Sequence, residues 1–99
     1  MANKRLDGII EAVRYNADGK IALVRVYERH GAVWSDHVLL ERIALSEQLK
    51  QGRRYVIGER KILLGGVFNT GSAVREMEGT IRTEGQSGAH DLLTGVPVF

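Results

Sequence analysis

Residues 9–29 read IIEAVRYNADGKIALVRVYER, and this stretch decides the fold. Its two halves are rich in β-branched and aromatic residues, which favour strands. Between them, residues 16–19 read NADG, in which Asn and Asp accept local backbone hydrogen bonds and Gly supplies a positive φ. The pattern therefore predicts a β-hairpin with strands over residues 9–15 and 20–29.

The pattern after this hairpin predicts one more strand and then a helix. Apolar and polar residues alternate over residues 33–41, which predicts a third antiparallel strand. Residues 43–51 are mostly good helix formers, with Leu45 and Leu49 four positions apart on one face. Gly52 is a suitable C-terminal stop, so we predict a short helix that ends there.

Strand character returns in the second half of the chain. Strands are predicted over residues 53–64 and 73–83, with a turn at residues 69–72 between them. Gly58 lies inside the first of these strands, where glycine indicates a bulge or a close backbone approach. Gly79 indicates a kink in the second.

The resulting element order is β-β-β-α-β-β, which is the order of the five-stranded OB barrel. We therefore predict a mainly β fold, a small five-stranded antiparallel barrel that is OB-like, with an SH3-like barrel as the alternative. Residues 1–99 form one domain, because a chain of 99 residues is about one domain long. Within it, residues 84–99 are predicted to be a loop and an apolar C-terminal tail.

Composition restricts the cellular setting and the chemistry. The chain has no cysteine, which excludes disulfides, thiolate metal sites and a cysteine nucleophile, and fits a reducing compartment. The N-terminus lacks the apolar segment of a secretory signal, and no apolar run approaches the roughly 20 residues needed to cross a bilayer. We predict a cytoplasmic protein that does not bind membranes.

No catalytic, metal or cofactor motif stands out. The three histidines, His30, His37 and His90, form no metal-ligand spacing. Residues 35–37 read SDH, but adjacent strand residues point to opposite faces and cannot form a catalytic relay. The glycine-rich residues 65–71 lack the Gly-Lys-Ser/Thr ending of a phosphate loop. We expect a protein that is not an enzyme and has no catalytic residue, metal site or cofactor.

Charge is unevenly distributed, and this is the main functional signal. Residues 42–61 carry six basic and two acidic residues, whereas residues 76–99 carry one basic and four acidic residues. Proteins that bind single-stranded nucleic acid combine cations for phosphates with rings on which bases stack. We therefore predict a nucleic-acid-binding sheet face formed by Arg25, Tyr27, Arg29, Arg53, Arg54, Tyr55, Arg60 and Lys61.

The apolar tail supports an alternative function, a protein-interaction or homo-oligomerisation module. The tail ends in VPVF, which would be an exposed hydrophobic patch if it were free in solution. Leu93, Val96 and Phe99 are predicted to be substantially buried, either in their own domain or against another copy or partner.

Overall fold

The computed structural model describes residues 6–31, 33–60, 68–77, 79–85 and 90–99. These residues form a mainly β domain, as predicted. Its elements in chain order are β1 (Gly8–Tyr15), β2 (Ile21–His30), β3 (Val33–Trp34), β4 (Val38–Glu41), α1 (Arg42–Lys50), β5 (Tyr55–Arg60), β6 (Phe68–Met77) and β7 (Thr80–Thr83).

The predicted hairpin and helix are confirmed. β1 and β2 pair antiparallel, and the amide of Asn16 donates to the carbonyl of Lys20 (2.7 Å) across a turn in which Gly19 has a φ of 84°. The helix α1 matches the predicted residues 43–51 to within one residue at each end. It is far too short to span a membrane, and the described residues contain no other helix that could do so.

The sheet is mixed and open, which corrects the antiparallel prediction. Its pairing order is β3-β2-β1-β5-β6-β7. β4 also pairs with β2, on the same edge as β3 but at residues 23–26 of β2 instead of residues 29–30. β1 and β5 are parallel, because α1 carries the chain across from β4 before β5 begins. Within the described residues β4 and β7 do not pair with each other, so the closed OB-like barrel and the SH3-like alternative stay predictions.

The third predicted strand is two short strands. Ser35 interrupts it, because its side chain takes part in the backbone pairing: its hydroxyl accepts from the amide of Glu28 (3.0 Å) and donates to the carbonyl of Asp36 (2.7 Å). The register against β2 shifts by one residue between β3 and β4. A serine that bonds to the backbone thus breaks a strand that alternation alone predicts as continuous.

The prediction of a turn at residues 69–72 is wrong, because these residues lie within β6. The predicted strand at residues 73–83 is in fact the end of β6 followed by β7. Asn69 and Thr70 lie inside β6, where they pair with Glu59 and Gly58 of β5. Instead of a kink, Gly79 lies in the turn between β6 and β7, with a φ of 82° that favours glycine. The cross-strand pairing of β5 with β6 therefore overrides the local turn composition.

Two apolar clusters form the core. The larger one packs α1, the sheet and the tail together, and its fully buried members include Ile10, Val13, Val24, Leu45, Ile81 and Leu93. The smaller cluster consists of Ile9, Tyr27 and Val56, with Leu6, Trp34, Phe68 and Ala73 packed against it. Because β1 supplies neighbouring residues to both clusters, the sheet is apolar on two faces in this region.

A buried carboxylate joins four parts of the chain. Asp91 is only 4% exposed, and it accepts hydrogen bonds from the amides of Ile21 (2.8 Å) and Ile81 (2.9 Å). Arg42, the first residue of α1, donates to the same carboxylate through Nε (2.7 Å) and a terminal nitrogen (3.1 Å). Asp91 therefore connects the starts of β2 and α1 to β7 and the tail.

Replacing Gly58 with valine should lower the free energy of unfolding by about 1–3 kcal/mol. The β5–β6 register shifts beside Gly58, but the extra residue lies on β6, because the three steps from Ala73 to Thr70 match the two steps from Val56 to Gly58. At Gly58 itself the predicted close backbone approach is present. A Cβ at Gly58 would collide with the carbonyl oxygen of Asn69 and approach Cγ2 of Ile9 to 3.0 Å. Chemical denaturation measures the loss. Thr70→Val, at an exposed site on the neighbouring strand, is the control, and an unchanged midpoint for Gly58→Val would contradict the clash.

Candidate nucleic-acid interface

Rings and cations lie in one continuous line of contacts along one face of the sheet. Arg25, Tyr27 and Arg29 alternate along β2 and so share this face, as predicted. We call the whole line the ring-and-arginine strip. Its members, in order of contact, are Arg14, Phe99, Arg25, Glu11, His37, Tyr27, Phe68, Trp34 and Arg29.

The first half of the strip is built around Phe99. The guanidinium carbons of Arg14 and Arg25 lie 4.7 Å and 5.2 Å from the centre of its ring. Nε of Arg25 donates to Oε1 of Glu11 (2.8 Å), and Nδ1 of His37 lies 3.0 Å from the same oxygen. One carboxylate therefore positions both a guanidinium and an imidazole.

The second half of the strip is a row of tilted rings. The ring centres of His37 and Tyr27 are 5.7 Å apart, those of Tyr27 and Phe68 are 5.2 Å apart, and those of Phe68 and Trp34 are 5.0 Å apart. The guanidinium of Arg29 lies 5.9 Å from the ring centre of Trp34. These separations are in the range of favourable aromatic and cation–π contacts.

The backbone explains how the last residue of the chain reaches β1. β5 pairs with β1 only as far as Ile10, so the second half of β1 is open on that side. The tail pairs there instead: the amide of Val13 donates to the carbonyl of Pro97 (2.9 Å), and the amide of Phe99 donates to the carbonyl of Val13 (3.0 Å). This pairing brings Phe99 to the arginines of β1 and β2.

Each arginine of the strip is anchored through Nε. The acceptors are the carbonyl of Phe99 for Arg14 (3.0 Å), Glu11 for Arg25 (2.8 Å) and the carbonyl of Gly31 for Arg29 (2.8 Å). These bonds use only Nε of each arginine. Among the described residues, the terminal nitrogens of the three guanidinium groups can therefore donate hydrogen bonds to another group. With three arginine side chains and one glutamate side chain, the side chains of the strip carry a net positive charge.

A groove opens beside the strip at Glu11 and Arg25. It has a volume of about 440 Å³ and lies between β1 at Ile10 and Glu11, the paired strands β5 and β6, and the tail. Its walls are apolar at Ile57 and Val96 and polar at Glu59 and Asn69. The strip therefore has a concave neighbour that could receive part of a ligand bound along it.

The structure corrects the placement of two predicted stacking rings. Tyr55 is 2% exposed, lies in the larger core cluster, and donates its hydroxyl proton to Oε2 of Glu28 (3.1 Å). Burial, with the charge of Glu28, raises the pKa of Tyr55 well above its ordinary range. Tyr27 is 7% exposed and packs beneath its neighbours in the strip. Neither tyrosine offers a free ring face to a base, whereas Trp34, Phe68 and Phe99 are half-buried.

Two of the other predicted basic residues, Arg53 and Arg54, lie away from the strip. Both precede β5 and line a cleft against the end of α1 and β6. Arg60 ends β5, and Lys61 lies outside the described residues. Of the predicted nucleic-acid set, Arg25, Tyr27 and Arg29 therefore lie in the strip, and Arg53 and Arg54 line this cleft.

The tail lies against its own sheet. Leu93 is 2% exposed in the larger core cluster, and Val96 packs against that cluster. Phe99 is half-buried under two arginines. The predicted burial of these side chains thus occurs within one copy of the chain, and a role for them in partner binding stays a prediction.

Sequence reasoning missed five members of the strip. The residues not predicted as ligand contacts are Glu11, Arg14, Trp34, His37 and Phe68. The alternation of Arg25, Tyr27 and Arg29 along β2 predicts only the part of the strip that β2 supplies. The other members come to the same face of the sheet through β-bulges and through pairing between distant parts of the chain.

The described residues contain no group of three or more His, Cys, Asp or Glu side chains that could hold a metal ion. Comparisons with protein-family models, with curated proteins and with solved structures give no match.

Proposed function

We propose that this protein is a non-catalytic binding module for single-stranded nucleic acid and that the strand lies along the ring-and-arginine strip. The observation that carries the proposal is the unbroken contact line from Arg14 to Arg29, in which arginines lie at both ends and a row of rings fills the second half. Binding of single strands needs this combination: a cationic track for phosphates and rings for bases. Small β domains often present both on one sheet face.

Preorganisation supports the proposal. The three arginines are already fixed by their Nε bonds, so binding a phosphate through the terminal nitrogens costs less side-chain entropy than ordering a free arginine. The proposed partner is nucleic acid, either DNA or RNA. A cytoplasmic location and the absence of a cofactor stay predictions.

Titration of a labelled single-stranded oligonucleotide at low salt tests the proposal. Affinity should fall log-linearly with salt, with a slope of about −0.7 for each phosphate neutralised. Arg29→Ala should weaken binding and make this slope shallower by about 0.7. Trp34→Ala should weaken binding by about 1–3 kcal/mol with the slope unchanged, because it removes a ring and no charge.

Lys20→Ala is the matched control, because Lys20 is exposed in the β1–β2 turn and lies outside the strip. It should leave affinity and slope nearly unchanged. Melting curves of all variants check that the fold is intact. Absence of binding at micromolar protein and low ionic strength would overturn the proposal, and so would equal losses in all three variants.

A protein-interaction or homo-oligomerisation module is the second candidate, favoured by the exposed edge of the sheet. Among the described strands β4 pairs only with β2, and two nearby apolar side chains are exposed: Leu39 of β4 (56%) and Ile43 in the first turn of α1 (67%). Exposed apolar edge strands are common sites of strand pairing between chains. A salt-resistant dimer in light scattering that Leu39→Lys converts to a monomer would favour this candidate over the first.

A further inference from the structure

A small cleft with a cationic lining lies between the C-terminal end of α1 and strands β5 and β6. Its volume is about 190 Å³, equal to the liquid volume of about six water molecules. Its charged lining comprises four bases and one acid: Lys50, Arg53, Arg54, Arg75 and Glu76. The cleft is large enough for a group of five heavy atoms such as phosphate.

The acid in this cleft is already engaged. Glu76 accepts a hydrogen bond from the hydroxyl of Ser46 (2.5 Å) through Oε2, and Nζ of Lys50 lies 3.8 Å from its other oxygen. Arg75 pairs with Glu84 at 2.9 Å. Among the described residues, no carboxylate forms an ion pair with Arg53 or Arg54, so these two guanidinium groups supply the uncompensated charge of the cleft.

The backbone on which these two arginines stand is well fixed. The amide of Arg53 donates to the carbonyl of Gln48 (3.1 Å), and the amide of Arg54 donates to Oδ2 of Asp7 (2.8 Å). The amides of Gln51 and Gly52 also donate to carbonyls of the last helical turn. The helix end is therefore capped by backbone donors, and the arginine side chains are not needed there.

We infer that this cleft binds a phosphate group through Arg53 and Arg54. Arginine presents planar pairs of donors that match phosphate oxygens, and a doubly charged phosphate compensates two unpaired cations better than a single carboxylate would. The phosphate could be free in solution, or it could be the terminal phosphate of a nucleic-acid strand.

Binding of a strand's terminal phosphate in the cleft rests on the proposed function. The backbone brings the strip and the cleft close to each other. Asp7 stands between the strip and the cleft: its carbonyl accepts from the amide of Arg29 (2.9 Å), and its carboxylate accepts from the amide of Arg54. A strand that follows the strip to Arg29 therefore arrives next to the cleft. Its end could enter while the rest of the strand remains on the strip.

Titration with inorganic phosphate, at ionic strength held constant with chloride, tests the site itself. Amide resonances of residues 49–55 and 73–76 should shift and saturate. The double variant Arg53→Gln/Arg54→Gln should weaken phosphate binding about tenfold or more, because it removes two charge-assisted contacts. Lys20→Gln, which removes one exposed cation outside the cleft, is the control and should bind as the unmodified protein does. No saturation, or equal binding by the double variant, would overturn the inference.

Three versions of one oligonucleotide distinguish the two sources: 5′-phosphorylated, 3′-phosphorylated and unphosphorylated. If the strand end enters the cleft, one phosphorylated version should bind about tenfold more tightly than the unphosphorylated one, and the double variant should abolish this difference. If all three bind equally while inorganic phosphate still saturates the cleft, the site takes free phosphate. If no oligonucleotide binds but phosphate does, the proposed function fails and the phosphate site stands.

Discussion

Replacing Asp91 with alanine should lower the free energy of unfolding by about 3–5 kcal/mol, the cost of breaking a buried charge pair. The substitution would leave three donors without their acceptor: the amides of Ile21 and Ile81 and the guanidinium of Arg42. Each unpaired buried donor costs about 1–3 kcal/mol. Because small domains are stable by only about 5–15 kcal/mol, this single change should bring the protein close to unfolding at room temperature.

Glu84→Ala is the control, since it removes a carboxylate from a solvent-exposed ion pair with Arg75. Such pairs contribute about 0–1 kcal/mol. Denaturant melts of both variants give the comparison. If Asp91→Ala were no more destabilising than Glu84→Ala, the proposed connecting role of Asp91 would be wrong.

The same carboxylate should make stability depend on acid pH. Burial raises the pKa of Asp91, but hydrogen bonds from Arg42 and from the amides of Ile21 and Ile81 outweigh it, so the pKa lies below its ordinary value of 3.8. The unfolded chain therefore takes up this proton first as the pH falls. The stabilisation is fully present above the unfolded pKa, about 3.9, and is lost as the pH falls through the lower folded pKa. The difference in stability between the protein and Asp91→Asn should shrink over that range.

Local chemistry is what the sequence predicts well here. The NADG turn and the helix that ends before Gly52 depend on residues close together in the chain, and both are present. In these places a few residue types set the backbone geometry by themselves. The interrupted strand at Ser35 is the exception, because a side-chain hydroxyl competed with the sheet pairing.

Long-range pairing is what the sequence could not specify. The parallel pairing of β1 with β5 depends on where α1 carries the chain, and the contact between Arg14 and the carbonyl of Phe99 joins residues 85 positions apart. Neither has a local signature. The acidic end of the chain likewise gave no sign that Asp91 would be a buried anchor for Arg42.

The candidate site was predicted in part, for the same reason. Alternation along β2 places Arg25, Tyr27 and Arg29 on one face, and the structure places them in one strip. Tyr55 follows two arginines and was assigned to that face. It is buried instead, because parallel pairing with β1 turns its ring into the larger core cluster. The direction of a strand and the strand it pairs with therefore decide which of its faces is exposed to solvent. The residue types of the strand alone do not decide this.

Deleting residues 92–99 should destabilise a monomer, because the tail completes its own sheet and core. The amide of Leu92 donates to the carbonyl of Ile81 (3.0 Å), and the amide of Leu93 donates to the hydroxyl of Tyr15 (3.0 Å). The side chain of Leu93 is in the core at 2% exposure. Leu93→Ala alone should therefore lower the free energy of unfolding by about 2–5 kcal/mol, and the truncation should cost at least as much.

Melting temperature and light scattering, measured together, separate the roles that the tail could have. Val98→Ala is the control within the tail, since Val98 is 68% exposed and its loss should change stability by less than about 0.5 kcal/mol. A lower melting temperature at unchanged monomer mass is the expected result for the truncation and for Leu93→Ala. A shift from dimer to monomer would instead make the tail an interface between copies. If the truncated protein kept both its melting temperature and its mass, the tail could not be packed as described, and its apolar end would be free to bind a separate partner.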